Sequence, residues 1–231
     1  MSAALSQATA MRTLTAVLLI TGALLSGCGG NAAPPAAATP IPTVTPEHVP
    51  STHLNVIPEE SAVRFTAAAL GGNIQVEGSY GVLGGEVVLR PEEGQLRIRA
   101  LVLIDTPSVT VGNAVIDEAL RLGMETTAYP IAIFDAASTT LVPVTEEPVA
   151  FTLAGTLTLH GQTQAVTMQV DPATVIDNHL NARATMAIDL SDFGIVLPEA
   201  VVSSAIVLDV TLIADEDAPA RPAPSPTPAA E

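Results

Sequence analysis

The 231-residue sequence has no tryptophan, no lysine and one cysteine, Cys28. Only six residues are aromatic: Phe65, Tyr80, Tyr129, Phe134, Phe151 and Phe193. A single thiol excludes an internal disulfide framework. All eight cations are arginines, set against 24 carboxylates for a formal charge of −16. Such a surface repels phosphate polyanions, so nucleic acid is excluded as a partner. The four histidines, His48, His53, His160 and His179, do not share metal-ligand spacing with a third donor. His48 and His53 fall in a Pro-rich stretch, His160 in a hairpin turn, and His179 in a loop after Asp177-Asn178. Neither a Gly-x-Ser-x-Gly elbow nor a Cys–His pair is present. The carboxylate pairs Glu59-Glu60, Glu92-Glu93 and Glu146-Glu147 fall in turn sequences, and neighbours on an extended chain point apart. Asp192-Phe193-Gly194 has the letters of a kinase metal-binding triplet, but a chain without lysine cannot complete that site. The expectation is a protein that is not an enzyme and uses neither cofactor nor metal.

What is present starts with a targeting pattern. From Met11 the chain reads Arg12, an apolar run from Leu14 to Leu25, then Leu25-Ser26-Gly27-Cys28. The run is about 12 residues, short of the ~20 that a membrane-spanning helix needs, and its order is that of a secretory signal. The small residues before Cys28 form a lipobox, so the Cys28 thiol is the expected lipidation site. Several acyl chains on one residue hold a protein to a membrane more firmly than one. The start codon could be Met1 or Met11. The expected location is extracytoplasmic, anchored to a bacterial cell membrane or outer membrane through Cys28.

The chain then divides by composition. Residues 1–27 read as the signal peptide, 28–53 as a disordered Pro/Ala/Thr-rich tether, and 215–231 as a disordered acidic Pro-rich tail. Residues 54–214 carry the periodicity of one folded domain. That periodicity is two: Phe151, Leu153, Gly155, Leu157 and Leu159 alternate with Thr152, Ala154, Thr156 and Thr158. Further strands are expected at 62–67, 73–80, 86–90, 95–105, 131–136, 162–170, 180–190 and 205–214, with turns at Gly71-Gly72, Gly84-Gly85, Pro91–Gly94 and Asp171-Pro172. One short helix is expected over 113–122, where Ile116, Ala119 and Leu120 have helical spacing and Gly123 follows. Asp117 and Arg121 fall four apart on it, a surface ion pair worth a few tenths of a kcal/mol. The fold class is all-β: an antiparallel barrel of about eight strands, with a two-sheet β-sandwich as the alternative.

Ordered short motifs then carry a resemblance. Pro58–Phe65, Asn73–Gly78, Asp117–Arg121, Tyr129–Phe134, Gly155–Thr163 and Asp192–Ile195 resemble the YceI-like family in order and spacing. The resemblance implies a lipocalin-like antiparallel barrel that binds a polyisoprenoid chain in its lumen outside the cytoplasm. Ile116, Ala119 and the short Gly123-Met124-Glu125 run depart from the family's pattern around the helix. The expected function is an extracytoplasmic, lipid-anchored binding protein that sequesters or carries an apolar isoprenoid-type chain. The rival is a filled-barrel structural or interaction module of the cell envelope without a ligand. Candidate ligand-lining residues are Phe65, Ile74, Val76, Tyr80, Phe134, Phe151, Leu153, Leu157, Met168, Met186 and Phe193. Arg64, Arg97, Arg99 and Arg183 fall mainly on faces opposite the apolar set. A neutral head, a quinone or prenol, is therefore favoured over a diphosphate. A homodimer of barrels stays possible.

Overall fold

A computed structural model describes residues 50–69, 72–197 and 203–220. The signal peptide, Cys28, His48, most of the tether and residues 221–231 of the tail lie outside the described residues. Ten strands run through it: β1 Thr52–Val56, β2 Ala62–Ala69, β3 Ile74–Glu92, β4 Gln95–Thr110, β5 Ile131–Ser138, β6 Val142–Pro143, β7 Val149–Leu159, β8 Gln162–Ile176, β9 His179–Asp189 and β10 Ala205–Asp215. Helix α1, Ala114–Gly123, separates β4 from β5, and a 3-10 turn, Leu190–Phe193, follows β9.

The sheet closes on itself in the order β2-β10-β9-β8-β7-β5-β4-β3, with β3 returning to β2. One of the eight positions is shared. β2 pairs with β10 and with residues 74–80 of β3, while β1 pairs with residues 86–89 of β3 and with the end of β10. The turn at 58–60 joins these two short strands into one stave, and Ser61 seals the junction by exchanging hydrogen bonds with Ile213. β6 adds a short ladder at the start of β4. The result is a closed antiparallel barrel, and the sandwich alternative falls. Closure matters because an open edge of unpaired N–H and C=O groups would recruit other strands.

Three hairpins turn on two residues with positive φ at both: Glu93-Gly94 (53°, 76°), His160-Gly161 (52°, 70°) and Asp177-Asn178 (49°, 60°). That geometry matches the right-handed twist of the flanking strands. Two expected turns are not turns. Gly84-Gly85 lies inside β3, where the ladder with β4 shifts register between Val82 and Gly84. A Cβ on Gly85 would come 2.1 Å from the Leu101 carbonyl oxygen, so these glycines let a bulged strand bend against its neighbour. Asp171-Pro172 is a cis peptide within β8, at a register shift against β9. The tether and tail boundaries also move. Thr52 and His53 belong to β1, with His53 Nδ1 2.6 Å from Glu86 Oε1. His179 opens β9 and meets Asp215, the last residue of β10, at 2.9 Å. Asn55 Nδ2 donates to the Ala218 carbonyl, which ties the start of the tail to β1.

α1 starts where Asn113 accepts from the N–H groups of Val115 and Ile116. The expected Asp117–Arg121 ion pair is absent, because β4 claims both side chains. Asp117 accepts from the Val111 N–H (2.7 Å) and the Thr110 hydroxyl (2.8 Å), while Arg121 Nε donates to the Pro107 carbonyl (2.9 Å). The helix is thereby strapped to the end of β4 at one mouth of the barrel.

Candidate functional site

Alternation sends one face of every stave inward. β9 buries Leu180, Ala182, Ala184 and Met186, and β10 buries Ile206, Leu208 and Leu212. All of these except Ile206, with Val63, Val87, Ile98, Ala100, Val102, Phe134, Phe151, Leu153, Leu157, Met168 and Val170, line a cavity along the barrel interior. Its lining contains no hydrogen-bonding side chain. A second cavity lies nearer α1, lined by Tyr80, Thr106, Ala132, Leu159, Ile188, Leu190 and Ile206 among others. Val63, Ile104, Leu157 and Leu208 border both, so the two are successive chambers of one lumen.

The lumen is narrow. The space open to the centre of a water-sized sphere is about 60 Å³ in the larger chamber and about 30 Å³ in the smaller. A dry cavity of about 150 Å³ accepts one benzene ring, so the chambers as they stand are too small for a hydrocarbon chain. Two features set the width. A row of small residues, Ala100, Ala136 and Gly155, faces inward from paired positions on β4, β5 and β7, and Ala182 and Ala184 do the same on β9. The long side chains of Phe134, Phe151, Met168 and Met186 share the larger chamber and take up most of what those small residues leave.

Of the candidate residues read from the sequence, Phe134, Phe151, Leu153, Leu157, Met168 and Met186 line the larger chamber, and Tyr80 lines the smaller. The other four sit elsewhere. Phe65 is buried, but its ring lies over Gly78, where a Cβ would come 2.3 Å from it, and packs against Tyr80 at 5.3 Å between centroids. Val76 is half-buried, two residues further toward the β2–β3 tip, and borders neither chamber. Ile74 is 50% exposed, because the start of β3 runs past the barrel rim. Phe193 lies on the 3-10 turn and not on a strand, and is 1% exposed. Residues missed from sequence were the alanines and valines of the wall, whose signal, the inward parity of β4, β9 and β10, was available but lacks chemical distinctiveness.

Phe193 belongs to a cap over the α1 end. β8 and β9 are paired only below Gln169 and Thr185, and above that level they part. The 3-10 turn packs beside the parted strands. Gln164 Nε2 donates to the Asp192 carbonyl at 2.6 Å, and Asp189 caps the turn through Ser191. A groove of about 450 Å³ runs along the split, bordered by Gln164–Thr167, Ala187–Asp189, Phe193 and Ala205–Val207. His160, in the β7–β8 turn, also holds the cap. Its Nδ1 lies 3.1 Å from the Phe193 carbonyl, to which it donates, and its ring meets Tyr129 edge to face at 4.6 Å. Its Nε2 is buried without a hydrogen-bond partner and lies 3.5 Å from Glu125 Oε2.

The chamber walls carry no charge. Arg99 pairs with Asp135 (2.7 Å) and Arg97 with Glu92 (2.8 Å) on the outer surface, and Arg64 and Arg183 are exposed. Burial pushes the Tyr80 phenol far above its ordinary range, so it is a neutral donor. Among the described residues no three His, Cys, Asp or Glu side chains gather as a metal site.

Comparison with known proteins agrees with this geometry. No curated protein matches the chain in sequence. A polyisoprenoid binding domain from Saccharophagus degradans superposes with a TM-score of 0.55 at 17% identity, covering 71% of this chain and 98% of that one. BcnA of Burkholderia cenocepacia superposes with a TM-score of 0.53 at 17% identity, covering 68% and 98%. Residues 54–214 match the YceI-like domain, and the chain belongs to that family.

Proposed function

We propose that this protein is a lipid-anchored, extracytoplasmic binding protein that takes one apolar isoprenoid-type chain into its barrel. The observation that carries the reading is the lumen wall: the larger chamber is lined end to end by aliphatic, methionine and phenylalanine side chains. The resemblance to a polyisoprenoid binding domain supports the choice of chain. Transfer from water contributes ~0.8 kcal/mol per CH₂, so each five-carbon unit brings about 4 kcal/mol before the cost of opening the wall. Met168 and Met186 are unbranched and can swing aside at low cost. Binding therefore widens a lumen that is nearly shut when empty. The second reading, a filled barrel serving as an envelope module, is favoured by the same narrowness of about 60 Å³.

One experiment separates them and tests the anchor. Full-length protein purified from its native envelope is extracted with organic solvent, and both the extract and the N-terminal peptide are weighed by mass spectrometry. A near-stoichiometric polyisoprenoid and a diacylglyceryl-modified Cys28 are expected. An empty extract, with no uptake of polyprenyl chains from detergent micelles, sinks the binding reading. An unmodified Cys28 sinks the anchor.

A further inference from the structure

The two chambers differ in one chemical respect. Besides Tyr80, the only lining residue with a hydrogen-bonding side chain in either chamber is Thr106, and its hydroxyl already donates to the Tyr129 carbonyl at 2.6 Å. The Tyr80 hydroxyl is otherwise engaged. Its acceptor is the thioether of Met124, at 3.5 Å. A thioether is a weak acceptor, so this half-buried phenol, which lines the smaller chamber, holds a donor that gains most of a hydrogen bond if an oxygen replaces the sulfur. The ring cannot easily turn away, because Phe65 packs against it and Val63 lies directly across the ladder.

We propose that the Tyr80 hydroxyl is the head-group donor of the lumen, and that the preferred ligand is an isoprenoid whose head presents a neutral oxygen acceptor, with a quinone carbonyl as the best fit. The head lies in the smaller chamber beneath α1, in place of the Met124 contact, and the tail runs down the larger chamber toward Leu180 and Leu212. Met124 follows α1 directly and is buried, so its displacement loosens the cap side of the lumen and leaves the tail side intact. A diphosphate head is disfavoured here. Neither chamber wall carries an arginine, and one neutral phenol cannot offset the cost of taking several negative charges out of water.

This inference rests on the binding function proposed above, and its test is built so that the two can fail separately. Three probes with the same two-isoprene tail are compared on wild-type protein and on Tyr80→Phe: a benzoquinone, a methyl-ended tail, and geranyl diphosphate. Affinities come from calorimetry. Wild type should bind the quinone tightest and the diphosphate weakest. Tyr80→Phe should weaken the quinone roughly three- to tenfold, the size of one neutral hydrogen bond, and leave the methyl-ended tail unchanged. Position is read independently in a Tyr129→Phe protein. With no tryptophan in the chain, Tyr80 is then the sole efficient fluorophore, and the quinone should quench it while the methyl-ended tail does not. Equal quinone affinity in wild type and Tyr80→Phe, or tighter diphosphate than quinone binding, overturns the head-group assignment while binding of the hydrocarbon tail keeps the wider function. Failure of all three probes on wild type overturns both.

Discussion

Asp117 shows how much one side chain can do when the backbone supplies its partners. The Val111 N–H, then the Thr110 hydroxyl and the Arg121 charge, hold its carboxyl below the usual carboxylate range. A folded-state pKa below the unfolded value means that ionised Asp117 stabilises the fold above about pH 4 and that this contribution is lost as pH falls through the lower, folded value. Asp117→Asn keeps the shape and one acceptor oxygen but not the charge. It should therefore melt below wild type at neutral pH, and the gap should close as the melts are repeated at progressively lower pH under about 4. A gap that stays constant with pH would show that the carboxylate's ionisation is not what fixes α1. The residue itself was legible in the sequence and its role was not. Spacing of four suggests Arg121 as its partner, but the Thr110 hydroxyl at the end of β4 and the Val111 N–H just after it take the carboxylate instead.

Elements were more legible than their junctions. Period-two alternation located nearly every strand, since a half-buried strand needs it, and Gly112 with Gly123 framed the helix. Glycine and proline misled where they serve bends inside long strands, as at Gly84-Gly85 and Asp171-Pro172, because a bulge and a turn draw on the same residues. β1 was hidden for a different reason: five residues with two buried positions are too few to show a period. The cap is an assembly of such junctions, and His160 joins three of them. Its φ of 52° suits asparagine as well as any non-glycine residue, so His160→Asn keeps the turn and removes the ring. Loss of the Phe193 carbonyl bond and of the edge contact with Tyr129 should cost about 1–2 kcal/mol. Amide exchange should accelerate at Gly194 and Ile195, which follow the carbonyl that His160 holds, while β9 and β10 exchange as in wild type. Uniform acceleration over the whole barrel would mean that His160 supports the fold and not the cap.

At the scale of the molecule, charge and cavity are segregated: among the described residues the arginine ion pairs lie on the outside, and the lumen is neutral and apolar. That separation leaves the interior free to be either packed core or binding space, and composition cannot distinguish the two. Small residues line the wall, and four long side chains fold in over them. Ala184 offers a way to decide which role the remaining space has. It lies on β9 between Val170 of β8 and Val210 of β10 and borders the larger chamber. Ala184→Leu adds three carbons where free space already exists. If the chamber is spare volume kept for a guest, the added side chain fills it and changes stability by less than about 1 kcal/mol, while uptake of a polyprenyl chain falls at least about tenfold. If the chamber is an ordinary packing defect, the same substitution leaves uptake as low as in wild type and its only effect is on the denaturation midpoint. A cost of about 1–3 kcal/mol with uptake unchanged would place the guest outside the larger chamber, because overpacking strains a wall that the ligand never touches. Denaturant titration and chain uptake measured on the same preparation separate these outcomes, since the first reads the space as structure and the second reads it as a site.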